Sequence, residues 1–242
     1  MPIKQDKVNK ILRETHDIYN TIAGDFSVTR AKWWHILDEL RGFVQDGDRV
    51  LDLGCGNGRL AELFLDKNVS YLGVDSSEEL IKIAREKFAN KKNIKFEVGD
   101  IIKLDVTASQ SFNLVFMLAV LHHIPTKELR LKILADIYKL LKPGGTLVMS
   151  NWNIFGIKKY RPMIVDYKYK LSQGVWSFKD VFIPWKPIGA ESRRYVHSFA
   201  KGEMKNLLQK AGFEIQEIYY ENKGTKTSFW NGYNLMAIAR KK

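Results

Sequence analysis

Cysteine is nearly absent: Cys55 is the sole thiol among 242 residues. One thiol can neither close an internal disulfide nor build a cysteine metal cluster. Inside a tight turn it reads as a small space-filling residue. No apolar run approaches the roughly 18 residues of a spanning helix, and no signal-peptide pattern opens the chain. The expectation is a soluble, cytoplasmic protein without a membrane partner. Repeats and low-complexity tracts are missing as well. Nor do the histidines and acids fall at metal-ligand spacing, so no metal is expected. An apolar content of 45% argues against disorder, and the length suits one α/β domain with decorations.

What the chain has in excess is positive charge, +12 net. It is unevenly spread. The surplus of Lys and Arg over Asp and Glu is one for residues 1–30, one for 31–150, seven for 151–201 and three for 202–242. Residues 151–201 also hold 11 of the 29 Phe, Trp and Tyr. Basic residues interleaved with aromatics suit phosphate contact with base stacking, hence a nucleic-acid partner. A solvated cap packed on a core would look the same.

The organising stretch is Val50-Leu51-Asp52-Leu53-Gly54-Cys55-Gly56-Asn57-Gly58-Arg59. An apolar strand breaks into glycines at alternate positions before an amphipathic stretch, Leu60 to Leu65. Such glycines permit a sharp turn and let a ligand rest on bare backbone. The form D-x-G-x-G-x-G resembles motif I of class I S-adenosylmethionine-dependent methyltransferases.

Taken in order, residues 5–22 have helical periodicity ending at Ala23-Gly24, and Thr29 reads as the cap of a second helix through Leu40. Tyr71–Asp75 is a second strand, with Ser76 or Ser77 capping a helix to Ala89. Asn93–Val98 is a third strand and Phe112–Leu118 a fourth, apolar on both faces as a central parallel strand is. Thr126 opens a helix to Leu141, stopped by Pro143-Gly144-Gly145, and Thr146–Ser150 is a fifth strand. Residues 151–199 read as an irregular insertion. A helix over Glu203–Ala211 and two strands, Phe213–Tyr220 and Tyr233–Arg240, close the chain. The pattern predicts a Rossmann-like, mostly parallel seven-stranded sheet with a reversed C-terminal hairpin and helices on both faces. One domain spans 1–242. Residues 1–45 form N-terminal helices or a lid, 46–150 the cofactor core, 151–199 the substrate insertion and 200–242 the closing helix and strand pair.

In such sheets ligands lie at the carboxyl ends of strands near the switch point. Asp75 and Asp100 end the second and third strands, where acids accept ribose hydroxyls and an adenine amino group, with the Ile101 amide reaching a ring nitrogen. Helix capping is the alternative for each. The spacing alone admits NAD; GxGxG with Leu140-Leu141-Lys142-Pro143-Gly144-Gly145 favours S-adenosylmethionine. The expected cofactor set is Tyr19, Asp52, Gly54, Cys55, Gly56, Gly58, Asp75, Ser76, Asp100, Ile101 and Leu118.

A narrower resemblance covers nearly the whole chain. Tyr19-Asn20-Thr21-Ile22-Ala23 with Phe26-Ser27-Val28-Thr29-Arg30, Ala119-Val120-Leu121-His122-His123, Asp180-Val181-Phe182-Ile183-Pro184-Trp185 and Arg194-Tyr195-Val196-His197-Ser198-Phe199 are similar to segments of the tRNA wobble-uridine carboxymethyl methyltransferases. Asn113, Val196 and His35 stand where that family commonly has Asp, a second Tyr and Pro. The resemblance implies methyl esterification of 5-carboxymethyluridine in tRNA and a small zinc-binding activator protein as partner. A carboxylate with a pKa near 4 is already a nucleophile, so the residues needed are clamps, and arginine's planar fork suits a carboxylate. Arg30 and Arg194 are the candidates, with Arg30 alternatively holding the cofactor's carboxylate. His122 is expected to touch the substrate, His123 to be structural, and Tyr195 to stack on the nucleobase. A small-molecule methyltransferase and a non-catalytic RNA-binding subunit remain alternatives.

Overall fold

The computed structural model describes residues 3–29, 36–104, 112–175, 177–184 and 193–242, without the side chains of 29 and 36–38. In chain order the elements are α1 (Gln5–Thr21), α2 (Ala23–Thr29), α3 (Ile36–Arg41), β1 (Arg49–Leu53), β2 (Ser70–Asp75), α4 (Glu78–Lys87), β3 (Ile94–Val98), β4 (Phe112–Leu118), α5 (Lys127–Leu140) and β5 (Leu141–Trp152). They continue with α6 (Arg161–Ile164), α7 (Tyr167–Ser172), β6 (Asp180–Pro184), β7 (Arg193–His197), α8 (Lys201–Lys210), β8 (Glu214–Asn222), β9 (Thr225–Thr227) and β10 (Asn234–Arg240).

The main sheet runs β3-β2-β1-β4-β5-β10-β8-β9, with β1 to β5 parallel and β10 antiparallel to both neighbours. The expected architecture is present, with β9 as one further short edge strand. The order reverses between β1 and β4, so the carboxyl ends there open a crevice. Two cores cover the faces. Ile133, Leu134 and Ile137 of α5 with Met204, Leu207 and Leu208 of α8 pack on one. Leu40, Phe64, Ile81 and Ala84 pack on the other. A sheet apolar on both faces has no choice but to be covered twice.

Local chemistry explains where the sequence expectation shifts. Ser77, not Ser76, caps α4, its hydroxyl accepting from the Leu80 amide at 3.2 Å. Thr126 caps α5 in the same way. Gly24 does not stop the helical run, which continues as Ala23–Thr29; the cap expected at Thr29 falls on a side chain, and on residues 30–35, outside those described. The stretch after the glycines is a 3-10 helix, Arg59–Phe64. Pro143-Gly144-Gly145 lies inside β5 as a bulge, with a register shift against β4 and Gly144 at φ +76° held by Arg240 Nε on its carbonyl.

The insertion is more regular than expected. β6 and β7 pair antiparallel; Phe182 and Tyr195 then bury against Ile11 of α1, and Val181 and Val196 against Ile154. Its charges turn inward. The Asp180 carboxylate accepts from Tyr195 Oη at 2.6 Å and bonds His197 Nδ1. His197 Nε2 meets Glu203 at 2.8 Å, and Lys179 donates to Glu203 at 2.9 Å. Burial raises the Glu203 pKa, but His197 and Lys179 outweigh it and hold the group down to about 2. Lys170 is buried with its ammonium on the Ile164 carbonyl, and Arg193 pairs with Asp166 at 3.0 Å. Among the described residues of 151–201, Lys158, Lys159, Arg161, Lys168 and Lys201 remain exposed, so the charge facing solvent is smaller than the sequence count. Among the described residues no helix is long and apolar enough to cross a membrane.

Segments 153–157 and 228–233 are pressed together. Asn153 Nδ2 donates to the Phe229 and Gly232 carbonyls, and a Cβ on Gly156 would lie 1.8 Å from the Gly232 oxygen. Backbone cannot yield there as a flexible side chain would. Gly156→Ala is therefore expected to cost at least the roughly 1–3 kcal/mol of core overpacking. Gly202→Ala, with nothing within 4 Å of the added methyl in α8, should gain up to about 1 kcal/mol. Urea denaturation of the two variants checks both signs.

Candidate active site

The crevice at the switch point holds a cavity of about 1110 Å³. Its floor is the glycine turn. Gly56 sits at φ +55°, and a Cβ there would point into the cavity toward Phe26, 3.5 Å away. At Gly54 an added Cβ would strike Val120 at 2.3 Å, and at Gly58 it would strike Phe96 at 2.7 Å. Gly58 does not line the cavity. It was expected to contact cofactor and is instead glycine because two phenylalanines, Phe96 and Phe88, need the space. Cys55 lines the turn as a buried filler facing Gly73.

Asp75 pins this turn. One carboxylate oxygen accepts from the Gly56 amide at 2.8 Å and the other from the Ser77 amide at 2.9 Å. Burial raises its pKa against those two bonds. A carboxylate has about four acceptor positions; Gly56, Ser77 and the Ser76 backbone take up part of them, and the group lines the cavity. Asp52 lies buried on the same floor, accepting from Tyr71 Oη at 2.5 Å. Burial, resisted by that bond and helped by the charge of Asp75, pushes its pKa up to about 7. Asp100 lines the cavity and also accepts from the Ile102 amide at 2.9 Å, so the cap bond leaves it at the cavity wall. Ser76, Ile101 and Leu118 line the wall as expected.

Helix α1 closes the cavity. His16, Tyr19 and Asn20 share one face at helical spacing. Asn20 Oδ1 accepts from Ser77 Oγ at 2.7 Å while its amide donates to Glu78 at 2.7 Å. His16 Nε2 bonds the Ser76 carbonyl at 3.1 Å. Burial opposes its charge, but Asp17 and Glu78 outweigh that and raise its pKa. Tyr19 Oη meets His123 Nε2 at 2.9 Å, and His123 Nδ1 meets the Tyr195 carbonyl at 2.7 Å. A carbonyl only accepts, so Nδ1 carries the proton and Tyr19 donates to Nε2.

Arg194 is 2% exposed yet lines the cavity, its Nη1 donating to Tyr19 Oη at 3.3 Å and its guanidinium 5.2 Å from the Trp152 ring centre. Two other expectations are corrected. His122 is fully buried and off the cavity wall; its Nδ1 accepts from the Trp152 amide at 3.3 Å and its ring stacks under Trp152 at 5.1 Å. Tyr195 is 1% exposed, its hydroxyl committed to Asp180 and Arg130, so it cannot stack on a base. A tyrosine whose hydroxyl meets a buried acid is architecture. His123 takes the place expected for His122. Burial lowers the pKa of both, His123 to about 3, and Arg194 adds to the effect. Arg30 lies outside the described residues.

Residues the sequence reading missed are Trp152, Lys159, Tyr160 and Tyr233, all lining the cavity. Trp152 was legible by the same rule as the acids, since it ends β5 at its carboxyl edge. The others depend on how the insertion folds. Among the described residues no cluster of His, Cys, Asp and Glu could hold a metal ion.

The Asp52 shift has a consequence for the ligand-free protein. The folded state keeps a proton there up to about pH 7, whereas the unfolded chain releases it near 3.8. Stability therefore falls as pH rises through that window, by up to roughly 1.4 kcal/mol per unit. Asp52→Asn, which can still accept from Tyr71, should flatten the profile between about pH 4 and 7 in denaturant midpoints. An unchanged slope would contradict the assignment.

Residues 44–213 match the protein family described as "Methyltransferase domain". Over 153 residues the chain is 34% identical to the tRNA (carboxymethyluridine(34)-5-O)-methyltransferase ALKBH8 of Macaca fascicularis, covering 62% of this chain and 22% of that protein. The chain thus spans about a fifth of that relative's length. It is 26% identical over 230 residues to the tRNA (carboxymethyluridine(34)-5-O)-methyltransferase of Schizosaccharomyces pombe, covering 85% of this chain and 91% of the other. Its fold superposes with TM-score 0.65 and 17% identity on the methyltransferase solved in complex with the Trm112 activator of Haloferax volcanii, covering 94% and 97% of the two chains. The glycine turn with Asp75 and Asp100 suits S-adenosylmethionine, and the chain belongs to the methyltransferase domain family.

Proposed function

We propose that the chain esterifies the carboxylate of 5-carboxymethyluridine at the wobble position of tRNA. The observation that carries this reading is a buried guanidinium, Arg194, in a cavity wall where the neighbouring His123 is held neutral and weakly basic. A general base works best with a pKa near the working pH; His123 at about 3 is far below it. The acceptor must arrive already nucleophilic. A carboxylate does, and Arg194 offers it a two-point fork.

S-adenosylmethionine supplies an electrophilic methyl on a sulfonium. Asp75 takes its ribose hydroxyls, Asp100 and the Ile101 amide its adenine, and Gly56 gives it room. Tyr19 both closes α1 over the cavity and positions Arg194. Trp152, stacked on His122 and followed at 6.2 Å by Tyr160, offers the uracil ring a face. Residues 1–45 serve as the lid, 46–150 as the cofactor core, 151–199 as the acceptor side and 200–242 as the closing edge. The relatives' names support the tRNA substrate. The Haloferax volcanii complex supports an activator protein as partner.

Nucleosides from tRNA treated with enzyme and cofactor should contain a new methyl ester that mild base removes. A base-stable methyl would refute the reading. Arg194→Lys keeps the charge but loses the fork, and should cut kcat/KM roughly tenfold to a hundredfold. At saturating cofactor, kcat should show no titration of His123 between about pH 6 and 8.

A further inference from the structure

Beside the mouth of the cavity lies a row of aromatic side chains that the reaction does not use. Phe178 packs edge-on against Phe155 at 6.2 Å, Phe155 against Phe229 at 5.5 Å, and Phe229 against Trp230 at 4.8 Å. The two ends stand in solvent, Phe178 55% and Trp230 62% exposed. Large apolar side chains grouped in this way mark an interaction surface.

The row is built, not frayed. Asn153 ties segment 153–157 to the Phe229, Gly232 and Tyr233 backbone, and Gly156 lies directly against Gly232. Arg161 crosses between the two segments, donating to the Phe155 carbonyl at 2.8 Å and the Trp230 carbonyl at 3.4 Å. Segments 153–161 and 228–233 contain Lys158, Lys159 and Arg161 and no acid, and the three cations are exposed. The surface runs into the cavity, because Lys159, Tyr160 and Tyr233 line its wall.

Exposed rings interleaved with cations, beside a pocket that takes one base, suit unpaired nucleic acid better than an apolar protein partner. A base drawn into a pocket leaves its neighbours without a stacking partner. We propose that Phe178 and Trp230 stack the unpaired nucleotides flanking the target uridine in the tRNA loop, with Lys158, Lys159 and Arg161 on the phosphates between them. This rests on the proposed tRNA reaction and names the surface that recognises the loop.

The test uses the full chain and an anticodon stem-loop RNA with 5-carboxymethyluridine at the wobble position. Phe178→Ala with Trp230→Ala should weaken stem-loop binding and lower kcat/KM roughly tenfold to a hundredfold. Cofactor affinity, thermal midpoint and the salt slope of binding should stay as in the wild type, since no phosphate contact is removed. Trp230→Tyr should restore most of the loss. On a stem-loop with abasic sites at the two flanking positions, wild type and double variant should become equal. A double variant within twofold of wild type on the intact stem-loop overturns the platform. So does loss of co-elution with a purified zinc-binding activator while RNA kinetics are unchanged, which would make the row a protein-docking surface. Absence of methyl transfer by the wild type itself would instead refute the parent reaction.

Discussion

The bond from the Gly56 amide to the Asp75 carboxylate is the constraint on which the site depends. It joins the turn after β1 to the tip of β2. The other oxygen of the same group holds the Ser77 amide, where α4 begins. Ser77 in turn donates to Asn20, which fixes α1 over the cavity. One carboxylate thus sets the turn, a helix start and, through one more bond, the closing helix. Its burial is costly, as its raised pKa records. Backbone donors offset that cost without rotamer entropy, because they belong to segments already ordered by the sheet.

The insertion shows why net charge is a poor map of a surface. Seven surplus cations in residues 151–201 suggest a basic face, yet Lys170 and Arg194 are buried and Lys179 and Arg193 are paired. These charges hold β6, β7, α7 and α8 together. The Asp180, His197 and Glu203 chain is shielded from solvent, where losing one partner leaves a charge uncompensated and costs about 3–5 kcal/mol. The same chain immobilises Tyr195, and with it the carbonyl that orients His123. An insertion built from polar bonds can present a rigid wall to the cavity without a large apolar core of its own.

Elements with strong periodicity were legible in the sequence: Phe112–Leu118 was placed to the residue, and α4, α5 and α8 to within two residues at each end. The acids at Asp75 and Asp100 were legible because strand ends at a switch point are defined by topology alone. What was not legible depends on contacts far apart in sequence. Which of His122 and His123 faces the cavity is decided by stacking on Trp152, thirty residues on. Whether Tyr195 is a base platform or a strut is decided by Asp180 across a strand pair. Gly58 looked like a ligand glycine because its reason, the packing of Phe88 and Phe96, lies in another βα unit.

On the proposed reading, the electrostatics around Arg194 favour one chemistry on the acceptor side of the cavity. Arg194 lies close enough to His122 and His123 to push both pKa values further down than burial alone. A guanidinium clamp and a histidine general base therefore oppose each other in this space: the charge that would hold an anion also removes the base that would make one. An acceptor that must lose a proton during the reaction is poorly served here, whether ring nitrogen or ribose hydroxyl. An acceptor that arrives as an anion meets a fixed, desolvated cation and aromatic faces already in place, and preorganisation of that kind is what alignment of a nucleophile with a methyl carbon requires. The neutral histidines then act as spacers: His123 orients Tyr19, and His122 supports Trp152. On this reading the pair of histidines matters for where the rings sit rather than for proton transfer.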